Sequence, residues 1–104
     1  MTTTNERTAM ADLQLALKGE YFDQIASGEK PEEFREVTPY WTKRLDGRNY
    51  DRIILTRGYP KGGGVEGETR LTRKWRGCEM IEIEHPHFGN RVTRVFAIDV
   101  RQPA

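Results

Sequence analysis

Short runs of alternating apolar and polar residues, separated by glycine and proline, most strongly constrain the fold of this chain. The first run, over residues 12–18, places three leucines on one face, which is the pattern of a half-buried strand. Tyr21, Phe22 and Ile25 then share one face of a short helix that ends near Gly28. No sequence period of 20–50 residues repeats, which excludes a repeat architecture. Strand and helix patterns therefore alternate from the start of the chain.

The remaining segments continue this alternation with short elements. A strand is predicted over 32–37, with Phe34 directed into the core, and Thr38 is predicted to cap a helix over 39–45. Further strands are predicted over 50–59, 75–85 and 94–100, with a glycine-rich loop over 60–70. This order predicts an α+β fold, in which a strongly bent mixed sheet or partial barrel is flanked by two helices. We expect a loose tail over 1–11 and one domain over 12–104.

Several classes of protein are excluded by composition. The longest stretch free of Asp, Glu, Lys and Arg has six of the 104 residues, too few for a membrane-spanning helix. The N-terminal residues lack a secretory pattern, so we expect a cytoplasmic protein. Cys78 is the sole cysteine, which excludes an internal disulfide and a multi-cysteine zinc site. We expect a monomer that holds neither a metal nor a cofactor.

The charge is unevenly distributed along the chain despite a net charge of +1. Residues 1–36 carry four basic and eight acidic side chains, whereas residues 37–78 carry ten basic and four acidic side chains. A basic middle segment is typical of a face that binds an anion, and equally of a solvated loop.

A cluster of charged residues surrounds Pro31, directly after the first predicted helix. Glu33 and Arg35 share one face of the following strand, and Lys30 lies at the turn before it. A lysine that is partly desolvated and close to other charges is suited to anion binding or to acid–base chemistry. Ion pairs at strand edges are also commonly structural, so the cluster alone leaves both interpretations open.

The motif Gly28-x-Lys30-x-x-Glu33-x-Arg35 resembles the signature of the ASCH domain, a family of the PUA-like superfamily. Residues 15–18 and 20–25 before it fit the same family, and the resemblance extends from about Leu13 to Val100. It implies a five- to six-stranded partial β-barrel with a cleft that binds RNA or a nucleotide-like ligand. Lys30, Glu33 and Arg35 would line that cleft.

Additional ligand-binding residues are expected on either side of this motif. Tyr40 and Trp41 offer a stacking surface on the second helix, although core packing is an alternative role for both. Arg57, Tyr59 and Lys61 precede or begin the glycine-rich loop, and the basic segment 57–76 would form a rim for a polyanion. The glycine run lacks the Gly-Lys-Ser/Thr of a Walker loop.

Two other functions remain open at this point. Some ASCH members hydrolyse RNA or deacetylate acetylcytidine, which would make Lys30 and Glu33 catalytic. The deacetylating members, however, carry a threonine where this chain has Glu33. The second catalytic group would come from elsewhere in the chain, and the candidates by residue type are Tyr59, Glu66, Glu68, Glu79, Glu82 and His85.

Alternatively, the charged cluster is purely structural and the chain is a protein-interaction module. The pair formed by His85 and His87 lacks the spacing of an established metal site, and a turn packed by the two imidazole rings is the favoured interpretation.

Overall fold

A computed structural model describes residues 11–101 of the chain. The predicted tail over 1–11 lies outside the described residues except for Ala11, whose carbonyl oxygen accepts a hydrogen bond from the Asp51 N–H. The described part contains two α-helices, six strands and two 3-10 turns. In chain order the elements are β1 (Leu13–Leu17), α1 (Gly19–Ala26), β2 (Glu32–Glu36), α2 (Pro39–Leu45), β3 (Arg52–Arg57), a 3-10 turn (Lys61–Gly63), β4 (Arg70–Lys74), β5 (Cys78–Glu84), a 3-10 turn (Pro86–Phe88) and β6 (Val92–Asp99).

The strands form two three-stranded sheets. In the first sheet, with the order β1-β3-β4, β3 pairs in parallel with β1 and antiparallel with β4. In the second sheet, with the order β2-β6-β5, both pairings are antiparallel. The α+β class with two helices is therefore confirmed, but the strands form two sheets, of which only the first is mixed. The two sheets are not closed into one barrel within the described residues.

One hydrophobic core joins both sheets and both helices. The three leucines of β1 are buried, as are the helix residues Phe22, Ile25 and Leu45. From the other sheet, Phe96 and Ile98 of β6 enter the same cluster. Each fully buried side chain of this size contributes about 1.5–3 kcal/mol. The core thus fixes β1 and β2, which are both edge strands of their sheets, relative to each other.

Strand β4 is absent from the sequence prediction, which assigned residue 70 to the glycine-rich loop and left residues 71–74 without a predicted element. Its alternation is hidden because an inward-facing position is occupied by Arg73 rather than by an apolar residue. Arg73 is buried, and its Nη1 donates a 2.6 Å hydrogen bond to the Val100 carbonyl oxygen. A buried arginine satisfied by a backbone carbonyl has no signature in hydrophobic periodicity.

The expected core position of Phe34 is wrong, although the alternation of β2 is correct. Strand pairing places Glu33 opposite Ile98 and Arg35 opposite Phe96. Directly opposed residues of an antiparallel pair lie on the same face of the sheet. The two charged residues therefore share the face of the core residues Ile98 and Phe96, and Phe34 points to the other face.

Candidate functional site

A well-defined turn after α1 determines where Lys30 lies. The Ser27 hydroxyl donates to the Gln24 carbonyl oxygen at 3.1 Å, and the Lys30 N–H donates to the same oxygen at 3.0 Å. Gly28 adopts a φ of +88°, a conformation that favours glycine. These constraints direct the chain back toward the core at the start of β2, so Lys30 lies beside Glu33.

Lys30, Glu33 and Arg35 form one cluster with Glu33 in the centre. The Lys30 Nζ lies 3.9 Å from Glu33 Oε1, and Arg35 Nη2 lies 3.3 Å from Glu33 Oε2. Only 13%, 8% and 21% of the respective side chains are exposed. The predicted convergence of the three groups is therefore present, and it is largely withdrawn from solvent.

Burial dominates the electrostatics of this cluster. It lowers the pKa of Lys30, against the opposing attraction of Glu33. It also raises the pKa of Glu33, against the attraction of Arg35 and Lys30. In both groups the cost of desolvating a charge exceeds the benefit of its partners. The cluster contains two positive charges, on Lys30 and Arg35, and one negative charge, on Glu33. An anionic ligand would therefore stabilise its excess positive charge.

Arg35 connects the two sheets at this point. Its Nη2 donates a 3.2 Å hydrogen bond to the carbonyl oxygen of Ala16 in β1, and its guanidinium carbon lies 5.1 Å from the centre of the Trp41 ring. The Nε atom is buried without a hydrogen-bond partner among the described residues. Arg35 thus spans the boundary between edge strands β1 and β2, and one of its donors is unsatisfied.

Aromatic rings surround the charged cluster on one side of Arg35. The Lys30 Nζ lies 4.3 Å from the centre of the Phe34 ring and 5.4 Å from the centre of the Tyr21 ring. The Tyr21 ring in turn contacts His85 and His87 edge-on, at 6.1 and 5.7 Å. These groups line a cavity with about 450 Å³ of empty space, part of it open to solvent. We call it the first cavity; it is lined by Ala16, Leu17, Lys18, Tyr21, Lys30, Glu33, Phe34, Arg35, His85, His87 and Phe88.

A second cavity lies on the other side of Arg35. It shares Ala16 and Arg35 with the first cavity, and it is the larger of the two, with about 1040 Å³ of empty space. Tyr40 and Tyr59 in its lining are 55% and 95% exposed, so their rings are available at the surface. The complete lining is Gln14, Leu15, Ala16, Arg35, Tyr40, Trp41, Thr56, Tyr59, Pro60 and Gly63.

The remaining predicted ligand-binding residues lie outside these cavities. Arg57 forms a bidentate ion pair with Asp23 at 3.1 Å, on α1. Lys61 begins the 3-10 turn and lines neither cavity. Other cations of the basic segment 57–76 pair within the fold: Arg70 contacts Glu66, and Arg76 contacts Asp99. The basic composition of this segment is thus partly neutralised in the folded protein.

Sequence reasoning did not assign to the site four residues that line the first cavity, namely Lys18, Tyr21, His87 and Phe88. The two histidines pack in a turn, as predicted, and the Nδ1 of His85 accepts a 3.0 Å hydrogen bond from the His87 N–H. Residues 11–101 contain no group of three His, Cys, Asp or Glu side chains that could hold a metal ion. The adjacency of Tyr21 to the motif in the sequence was the one available signal for its role.

Of the six candidates for a second catalytic group, only His85 lines the first cavity. Tyr59 lies in the second cavity, and Glu66 is engaged by Thr72 and Arg70. Hydrogen bonding to the His87 N–H occupies the Nδ1 of His85, so its Nε2 is the free ring nitrogen.

Comparison with protein-family models, curated proteins and solved structures found no significant match to this chain. The ASCH resemblance therefore rests on the motif residues alone. No helix within residues 11–101 combines the length and the apolar character needed to cross a membrane.

Proposed function

We propose that the chain is an ASCH-like, PUA-like domain that binds single-stranded RNA or a nucleotide-like ligand in the first cavity. The observation that carries this proposal is the convergence of Lys30, Glu33 and Arg35, each at most 21% exposed, on one cavity walled by aromatic rings. A nucleotide combines an anionic phosphate with a planar base, and this lining offers partners for both.

The phosphate would be bound by the cations of the cavity. Lys18, Lys30 and Arg35 supply three positive charges against the single negative charge of Glu33 among the lining residues. Because desolvation lowers the pKa of Lys30, a phosphate nearby would favour its charged form. Arg35, whose side chain is 21% exposed and lines the cavity, can contribute its guanidinium group, as charge-assisted hydrogen bonds to phosphate are among the stronger ones.

The base would stack against the aromatic wall. Tyr21, Phe34 and His85 present rings to the cavity, and stacking on such rings contributes about 1–3 kcal/mol per base with little sequence preference. Glu33 would accept a hydrogen bond from a base amino group, a role open to a carboxylate.

The proposal is tested by fluorescence anisotropy with a labelled single-stranded octaribonucleotide of mixed sequence. Two phosphate contacts, by Lys30 and Arg35, predict a slope of about −1.4 for log affinity against log salt, which is about a sevenfold loss between 50 and 200 mM salt. Lys30→Met should lower the affinity at least about tenfold and halve the slope, since a charged hydrogen bond contributes about 1.5–3 kcal/mol.

Lys43→Met is the matched control, because Lys43 is exposed on α2 and lines neither cavity. It should leave both the affinity and the slope unchanged. RNA affinity that is independent of salt, or that Lys43→Met and Lys30→Met reduce equally, would contradict binding at this cavity.

A hydrolase acting on RNA or on a modified nucleoside is the second candidate function. It is favoured by one observation, the presence of His85 in the same cavity as a lysine of lowered pKa. Incubation with labelled RNA and with acetylcytidine separates the two functions. Turnover that is lost in His85→Ala would establish the hydrolase, and binding without turnover would establish a binding domain. The monomeric state and the cytoplasmic location stay predictions.

A further inference from the structure

The two cavities adjoin each other at the Arg35 side chain. Arg35 and Ala16 line both cavities. Between the two cavities lies the hydrogen bond that Arg35 Nη2 donates to the Ala16 carbonyl oxygen. The guanidinium already uses Nη2 for Glu33 and Ala16, whereas its buried Nε has no partner among the described residues. A partly buried cation therefore lies at the junction of two cavities that both contain aromatic rings.

The aromatic residues of the second cavity are placed by well-ordered backbone contacts. The Gly58 N–H donates a 2.8 Å hydrogen bond to the Leu17 carbonyl oxygen, and the Thr56 hydroxyl donates at 2.8 Å to the Gly58 carbonyl oxygen. These bonds tie the turn after β3 to the end of β1, and Tyr59 follows directly. Its ring is 95% exposed, so the fold gains little from it.

Tyr40 lies across the same cavity in a more restrained position. Its ring contacts Trp41 edge-on at 4.9 Å, and the Arg44 guanidinium carbon lies 3.5 Å from its centre. Tyr40 is held by its contacts with Trp41 and Arg44, whereas the Tyr59 ring is almost fully exposed. Together the two rings form a surface on which a flat group can stack. A second positive charge beside Tyr40 suits a ligand that remains anionic along its length.

Resting on the proposed function, we infer that the ligand is an oligonucleotide that spans both cavities. One nucleotide occupies the first cavity, the connecting phosphodiester lies against Arg35, and the next base stacks in the second cavity on Tyr40 and Tyr59. Single-stranded nucleic acid is the occupant that fits, because it alternates an anionic link with a planar base. A mononucleotide would fill only the first cavity.

Isothermal titration calorimetry with the four 5′-mononucleotides and with 5′-phosphorylated trinucleotides tests this inference. The best trinucleotide should bind about 5- to 150-fold more tightly than the best mononucleotide, the range expected for one further stacked base. Tyr59→Ala should abolish this gain, because it removes the ring on which the second base stacks. Tyr59→Phe should retain the gain, because stacking needs the ring and not the hydroxyl group.

Met80→Ala serves as the control for removal of an exposed apolar side chain, since Met80 is 46% exposed on β5 and lines neither cavity. Equal affinities for mononucleotides and trinucleotides, or a gain that survives in Tyr59→Ala, would overturn the two-cavity inference while leaving the proposed function intact. Failure of every nucleotide and trinucleotide to bind the wild-type protein would overturn both.

Discussion

Replacing Lys30 by methionine should stabilise the folded protein while weakening ligand binding. The ammonium group is largely buried, with 13% of the side chain exposed, and burial lowers its pKa in spite of Glu33. Folding therefore disfavours the charged form relative to the unfolded chain. Methionine has a similar length and carries no charge, so it removes this cost.

The magnitude follows from the contacts that the substitution changes. The Lys30 Nζ to Glu33 Oε1 distance of 3.9 Å is too long for a hydrogen bond, and Glu33 keeps its closer partner Arg35 at 3.3 Å. The loss of the cation–π contacts with Tyr21 and Phe34 is offset by sulfur–aromatic contacts of about 0.3–1.5 kcal/mol. Replacing a complete buried ion pair by apolar groups commonly stabilises by about 1–4 kcal/mol, whereas removing one member of a pair destabilises because it leaves a buried charge without a partner. In Lys30→Met the closer pair of Glu33 and Arg35 remains and only the third charge is removed, so we expect a gain at the lower end, about 1 kcal/mol.

Thermal unfolding followed by circular dichroism measures the effect. A gain of about 1 kcal/mol corresponds to a rise in Tm of about 4–8 °C for a domain of this size. Lys43→Met should stay within about 0.5 kcal/mol of the wild type, as expected for a surface position. Lys30→Ala is a poorer test, because the space of the lysine stem would remain empty and would lower Tm for an unrelated reason. A Tm lowered by several degrees in Lys30→Met would refute the reasoning and favour the purely structural role of the cluster.

Two further predictions concern titrating groups. Burial lowers the pKa of His87, with Lys18 and Arg35 among the nearby cations that act in the same direction, so a bound 5′-mononucleotide should raise this pKa. NMR titration of the imidazole resonance with and without nucleotide measures it, and an unchanged value would place the phosphate elsewhere. The Arg101 guanidinium holds the pKa of Asp99 at about 2, below its ordinary 3.8, so this stabilisation is present at neutral pH and is lost as the pH falls from about 4 to 2. Asp99→Asn should therefore cost about 1 kcal/mol at pH 7 after allowance for solvent screening, and urea unfolding should show this difference from the wild type shrinking as the pH falls through about 2.

The local elements were largely predictable from sequence. Apolar alternation over 12–18 specified β1, and Thr38 with Pro39 specified the start of α2, where the Thr38 hydroxyl oxygen accepts a 3.2 Å hydrogen bond from the Trp41 N–H. These features depend on periods of two and 3.6 residues and on capping groups, which neighbouring residues determine. Strand β4 was not predicted because the buried position in its alternation is an arginine. The Arg73 guanidinium donates a hydrogen bond to the carbonyl oxygen of Val100, a residue distant in the sequence.

The candidate site was likewise predicted from the sequence only in part. Residue spacing alone brought Lys30, Glu33 and Arg35 together, since a turn and a short strand span the entire motif. Only the tertiary structure decided that Phe34 faces the first cavity and that His85 and His87 complete its wall. The same holds for the ion pair between Arg57 and Asp23, which engages the Arg57 guanidinium within the fold. Strand register and sheet packing determine these contacts, and both depend on residues distant in sequence whose pairing is set by burial of the whole core.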